Sequence, residues 1–94
     1  MKMIYECRFS EREYGDIQLP EGAEILTIQY QNGCLYLWAK VDTTKSLVNR
    51  HIEVFRTGYE ILEDMKYKYI TTIQYSGYVW HYFERLDHER INKM

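Results

Sequence analysis

Three histidines, two cysteines, fourteen acidic and twelve basic residues are the groups in this 94-residue chain that could do chemistry. Their spacing withholds the common kinds. His51, His81 and His88 follow no ligand spacing such as His-Glu-x-x-His, and Cys7 and Cys34 form no Cys-x-x-Cys pair, so neither a metal centre nor a cofactor is indicated. A Cys–His catalytic pair needs a proximity that spacing alone does not supply. Glu11, Glu13, Glu60, Glu63 and Asp64 fall in turn-like stretches, where solvated charge is the ordinary role. No two of them stand out as an acid and a base with environments that separate their pKa values. No catalytic residue is therefore assigned. The nearest approach to a phosphate site is Arg56-Thr57-Gly58: a cation, a hydroxyl and a flexible backbone at the end of a strand. A strand terminus with an exposed arginine is the plainer interpretation of the same three residues.

The aromatic residues carry more information. Ten tyrosines and two tryptophans fall largely at alternate positions of strand-like segments. Flat rings can stack on bases or anchor a protein interface. Tyr36, Trp38 and Trp80, beside the cations Lys40, Arg50 and Arg56 and the Thr57-Gly58 pair, make up the candidate ligand-binding set. Core packing is the competing explanation for an aromatic stripe in a small β domain, but ten tyrosine hydroxyls also require partners.

The elements that must position these residues are strands. Alternation places every second side chain on one face of a sheet. Ile4 to Phe9 and the short stretch Asp16 to Leu19 read as strands, the second stopped by Pro20-Glu21-Gly22. Glu24 to Val41 reads as a hairpin about Asn32-Gly33, because both central residues of a type I′ turn need positive φ. That turn sets Tyr30 opposite Leu35, Ile28 opposite Leu37 and Leu26 opposite Ala39, and buries Leu26, Ile28, Leu35 and Leu37. Asp42 to Asn49 is a polar connection with room for a helical turn, and Arg50 to Thr57 alternates again. A second hairpin turns at Ser76-Gly77, with Tyr67, Tyr69, Ile73, Tyr75, Tyr78, Trp80 and Tyr82 on one face and Ile70, Thr72, Gln74, Val79, His81 and Phe83 on the other. Neither face is polar, which implies cover on both sides. Residues 85–94 form a charged tail of helical composition.

The expected fold is mainly β: a single domain over residues 1–84, built as a curved antiparallel sheet or barrel-like sandwich of about five to six strands with one or two short helices. A net charge of −2 argues against DNA as a partner, because phosphate neutralisation dominates that affinity. The N-terminal segment lacks a signal-peptide core, and no apolar run spans a bilayer, which points to a cytoplasmic setting with reduced thiols. The small size and the two-sided last hairpin favour a homodimer.

Gln31-Asn32-Gly33, Leu37-Trp38-Ala39, Val41-Asp42, Thr57-Gly58, Tyr69-Ile70 and Val79-Trp80-His81 followed by Phe83-Glu84 resemble, as an ordered set over about residues 3–84, a family of small uncharacterised phage and prophage proteins. This chain departs from that pattern at Arg56-Thr57-Gly58, where the family tends to have Gly-Thr-Gly, at Ile70-Thr71-Thr72, where it tends to have Ile-Gly-Thr, and in a longer tail. The resemblance implies a viral origin and the cytoplasm of an infected bacterium. It implies no activity. With it, the expectation is a non-enzymatic accessory protein, such as a counter-defence factor that sequesters a host nucleotide signal. The alternatives are a protein that docks onto a host defence protein through an aromatic face, and a small enzyme of unknown reaction.

Overall fold

Seven strands make up the computed structural model, which describes residues 1–9 and 15–86. They are β1 (Lys2–Phe9), β2 (Gly15–Pro20), β3 (Glu24–Gln31), β4 (Cys34–Asp42), β5 (Leu47–Arg56), β6 (Tyr67–Tyr75) and β7 (Tyr78–Arg85). Every pairing is antiparallel. One sheet has the order β1-β4-β3 and the other β2-β5-β7-β6. The sheets face one another as a sandwich, with extents of 40 × 35 × 17 Å, the short axis being that of two stacked layers.

The core lies between the sheets. From β4 it takes Leu35, Leu37, Ala39 and Val41, from β3 Ile28, and from the facing sheet Leu19, Ile52, Ile73 and Tyr82. The Asn32-Gly33 turn has φ of 51° and 82°, and Gln31 opposes Cys34, Tyr30 opposes Leu35 and Ile28 opposes Leu37. The second turn forms at Ser76-Gly77, also with positive φ at both residues, and sets Tyr75 opposite Tyr78 and Ile73 opposite Trp80.

Several expectations need correction. Among the described residues there are seven strands rather than five to six: every stretch read as strand forms one, and β5 starts at Leu47 rather than Arg50, taking the end of the connection expected at Asp42 to Asn49. What remains is a tight turn, closed by the Lys45 amide donating to the Asp42 carbonyl at 3.1 Å. No helix occurs among the described residues, and none is long and apolar enough to cross a membrane. Residues 87–94, and with them most of the charged tail, lie outside the described residues.

Leu26 is 42% exposed, not buried. The register shifts between Ile25 and Thr27, so Ile25 opposes Ala39 and packs against the core while Leu26 is the extra residue of a bulge. A second shift, between Tyr69 and Thr71, puts Tyr69 opposite Phe83 and frees Ile70 to pack on the core. Tyr67 and Tyr69 therefore leave the Ile73–Trp80 face and join Phe83 on the outer one. An inserted residue restarts the alternation with opposite phase.

Asp42 latches the end of β4. Its carboxylate accepts hydrogen bonds from the Thr44 hydroxyl at 2.7 Å and the Thr44 amide at 3.0 Å, with the N-terminal ammonium 3.6 Å away. The Thr44 bonds, assisted by that ammonium, lower its pKa to about 2.

Two outcomes follow from this geometry. Gly33→Val should cost about 1 kcal/mol or more, from strain at positive φ, since no neighbouring atom lies within 4 Å of an added Cβ. Gly33→Asn, which tolerates that φ, should melt near the wild type. Asp42 is lowered in the folded state, so its contribution is present above about pH 4 and is lost as pH falls toward about 2. Asp42→Asn should flatten that part of the acid titration of stability, by a small amount because the carboxyl is exposed.

Candidate functional site

Inward positions of β5 run Ile52, Val54, Arg56. The first two pack in the core, and Arg56 arrives at the end of the sandwich where both two-residue turns lie. Trp80 is its cross-strand partner. A row of rings lines this end. Tyr30 stacks on Tyr75 with centroids 4.5 Å apart and planes 5° from parallel. Tyr75 stacks on Trp80 at 5.4 Å and 21°, and Tyr78 meets Trp80 edge-on at 5.9 Å. The Arg56 guanidinium caps the row, 4.3 Å from the Tyr78 centroid, 4.9 Å from that of Tyr59 and 6.0 Å from that of Trp80. A cation over a ring face is attracted by the ring quadrupole. Among the described residues no carboxylate forms an ion pair with Arg56.

Local turn chemistry delivers Tyr59 to this place. Its amide donates to the Arg56 carbonyl at 3.0 Å, closing a four-residue turn whose third residue, Gly58, has φ 93°. Glycine meets that requirement without steric cost. Thr57 is held from the outer face: its hydroxyl lies 2.8 Å from His81 Nε2. His81 Nδ1 is 3.1 Å from the Thr72 hydroxyl, which is 2.7 Å from the Tyr69 hydroxyl. This chain of bonds holds the Thr57 hydroxyl on the outer face, opposite the Arg56 side chain. Chemically, the patch offers a forked cation and ring faces. A shallow depression of about 370 Å³, lined by Gln74, Tyr75, Gly77, Tyr78 and Val79, adjoins it.

The eight candidates from the sequence fall into three places. Arg56, Thr57, Gly58 and Trp80 come together at this end. Tyr36 and Trp38 lie on the outer face of β4, their rings 5.8 Å apart and tilted by 41°, with Lys40 further along the strand in an exposed ion pair with Glu24 at 3.5 Å. Arg50 lies inside. Its Nη2 donates to Glu84 at 2.9 Å, its Nε donates to the other oxygen of the same carboxylate, and its Nη1 donates to the Ala23 carbonyl at 2.8 Å. Glu84 is 6% exposed. This bidentate, buried arrangement consumes the cation that was a candidate for phosphate. The neighbouring cleft, about 230 Å³, contains Arg50 and Arg85, and Arg85 is itself 3.6 Å from Glu53.

Tyr59 and His81 were not among the site residues expected from sequence. Gly58 after a strand end is the local signal for the turn that returns Tyr59. No local signal places His81, because its approach to Thr57 depends on the β5–β7 register.

A second feature occupies the outer face of the larger sheet. His51 Nδ1 is 3.0 Å from Asp16 and its Nε2 is 3.0 Å from Glu53. The Tyr67 hydroxyl donates to Glu53 at 3.2 Å. Beside this network, Phe83 meets Phe55, Tyr67 and Tyr69 edge-on at 5.8, 6.0 and 5.5 Å. Among the described residues no group of three or more histidines, cysteines and acids is placed to hold a metal ion. The two thiols are free, and burial raises the pKa of Cys7.

The fold and these surfaces define a mainly β, two-sheet antiparallel sandwich with a cation–aromatic patch at one end. The chain belongs to the family described as Domain of unknown function (DUF7352), whose model matches residues 1–93. No curated protein and no solved structure matches it.

Removing one member of the buried ion pair strands the other. Glu84→Ala should destabilise the fold by on the order of 3 kcal/mol, whereas Arg50→Met with Glu84→Leu should cost less than either single change. Urea titration of Glu84→Ala, of each single change and of the double variant measures both.

Proposed function

We propose that the protein acts by binding, without catalysis, and that it holds a planar anionic ligand of nucleotide type at the Arg56 end of the sandwich. The observation supporting this is the Arg56 guanidinium, seated against the Tyr78 and Tyr59 rings and without a carboxylate partner among the described residues. A guanidinium meets a phosphate through two parallel N–H donors, and adjacent rings take the base by stacking. Gly58 adds a backbone open to close approach. Of the candidate cations, Arg50 is engaged with Glu84 and Lys40 with Glu24, which leaves this role to Arg56. Taken with the resemblance to phage proteins, the ligand is a host nucleotide signal, the setting the cytoplasm of an infected bacterium, and the effect counter-defence by sequestration.

A second reading rests on a separate observation. The edge-on cluster of Phe55, Tyr67, Tyr69 and Phe83, rimmed by polar bonds, has the anatomy of an interface that anchors a partner protein through aromatic side chains.

A thermal-shift screen of cyclic nucleotides and ADP-ribose derivatives, with isothermal titration of any hit, tests the first reading. At a hundredfold excess over the dissociation constant, ligand should stabilise the fold by about 2.7 kcal/mol. Arg56→Ala should abolish that shift and cost the ligand-free protein only about 0.5–1 kcal/mol of cation–π contact. If no nucleotide binds more tightly than about 0.1 mM, or roughly −5.5 kcal/mol, the reading fails. Capture of a host protein that is lost in Phe55→Ala and Tyr69→Ala, but kept in Arg56→Ala, would then support docking.

A further inference from the structure

The sandwich has four edge strands, and three of them are poor templates for pairing with another chain. β3 and β6 are each interrupted by a bulge, which twists an edge away from a partner. β2 is six residues long and ends at Pro20, which has no amide to donate. β1 differs. It runs for eight residues without proline, and its pairing with β4 is unbroken throughout. Among the described residues its other edge has no strand beside it.

The backbone groups on that edge can be assigned. A two-residue hairpin closes on a hydrogen-bonded pair, here Gln31 and Cys34. Alternation then turns the amides of Leu35, Leu37, Ala39 and Val41 toward β1. The Thr43 amide, next in that series, does donate to the Met1 carbonyl at 2.8 Å. Met3, Tyr5 and Cys7, which oppose Val41, Ala39 and Leu37, thus spend their backbone groups on β4. Those of Lys2, Ile4, Glu6 and Arg8 point outward.

We propose that β1 is the docking edge for a second copy of this chain, added antiparallel about a two-fold axis that sets Ile4 opposite its own counterpart. In that register Lys2 of each copy faces Glu6 of the other, giving one ion pair on each side of the Ile4 contact. Every facing pair has the same face and the correct hydrogen-bonding phase. Ile4 is 58% exposed and Met3 44% exposed, so pairing covers apolar surface as well as backbone. Moving the axis to Tyr5 sets Lys2 against Arg8, and moving it to Glu6 sets that carboxylate against its own copy. Both arrangements are opposed by like charge. The dimer extends the smaller sheet into a continuous one of twice three strands, β3-β4-β1-β1-β4-β3, and is isologous, as a two-fold interface requires.

Light scattering on the eluting peak from size exclusion tests this. The full chain should run at twice its 11.5 kDa mass. Lys2→Glu and Glu6→Lys should each halve that mass, because each sets like charges across the axis twice. The double variant Lys2→Glu/Glu6→Lys restores both ion pairs with reversed polarity and should recover the dimer. Arg8→Glu, which changes a residue outside the central pairs, should leave the mass unchanged. Far-ultraviolet circular dichroism should show all four variants folded. A wild-type protein that stays monomeric up to about 1 mM overturns the proposal. So does a dimer that survives both single reversals, or one that is lost in the single reversals and not recovered in the double.

Discussion

The alternation of β4 is the constraint on which the rest of the structure depends. Leu35, Leu37, Ala39 and Val41 are all at most 2% exposed and present one apolar face to the opposite sheet. β4 is also the centre strand of its sheet, so its register positions both β1 and β3. A slip of one residue would bring Tyr36, Trp38 and Lys40 into the core in their place. With so few fully buried side chains, no other strand could compensate. The facing sheet is secured differently. The Arg50–Glu84 pair joins β5 to β7, and the Arg50 bond to the Ala23 carbonyl extends that tie to the turn leading into β3. Such a pair is weak as a source of stability but specific in what it connects.

Much of this architecture was legible in the residues. Asn32-Gly33 and Ser76-Gly77 mark turns because positive φ is tolerated by few residue types, and each turn carries the register of its hairpin with it. The two bulges were not legible. Around Leu26 the sequence reads Glu-Ile-Leu-Thr-Ile, in which Ile25 and Leu26 are both apolar. Local pattern cannot say which of them turns inward; packing against Ala39 decides. At Ile70 the same ambiguity moved Tyr67 and Tyr69 to the opposite face. The start of β5 was hidden because Leu47, Val48 and Asn49 follow a polar stretch and resemble a connection when their partners are unknown.

The candidate site was readable only in its contiguous part. Arg56, Thr57 and Gly58 are neighbours in sequence, so their chemistry could be seen together. Trp80 joins them through the β5–β7 pairing, and Arg50 is withdrawn from solvent by a carboxylate 34 positions away. Both are facts of topology, which residue types do not encode. An arginine in a strand is by default a surface cation; only the fold distinguishes the one that is paired and buried from the one that lies open against rings.

The ring row also gives the molecule a distinctive optical character. Tyr30, Tyr75 and Trp80 follow one another at 4.5 and 5.4 Å, close enough for excitation absorbed by tyrosine to pass to the indole. Trp80 is thus the terminal acceptor for light collected at this end of the sandwich. Trp38, on the outer face of the other sheet with Tyr36 as its neighbour, collects from a different surface. The two tryptophans therefore sit in different surroundings. Replacing either by phenylalanine leaves the other to report on its own side of the protein: the tyrosine-to-indole transfer of the row from Trp80, and the solvent around β4 from Trp38.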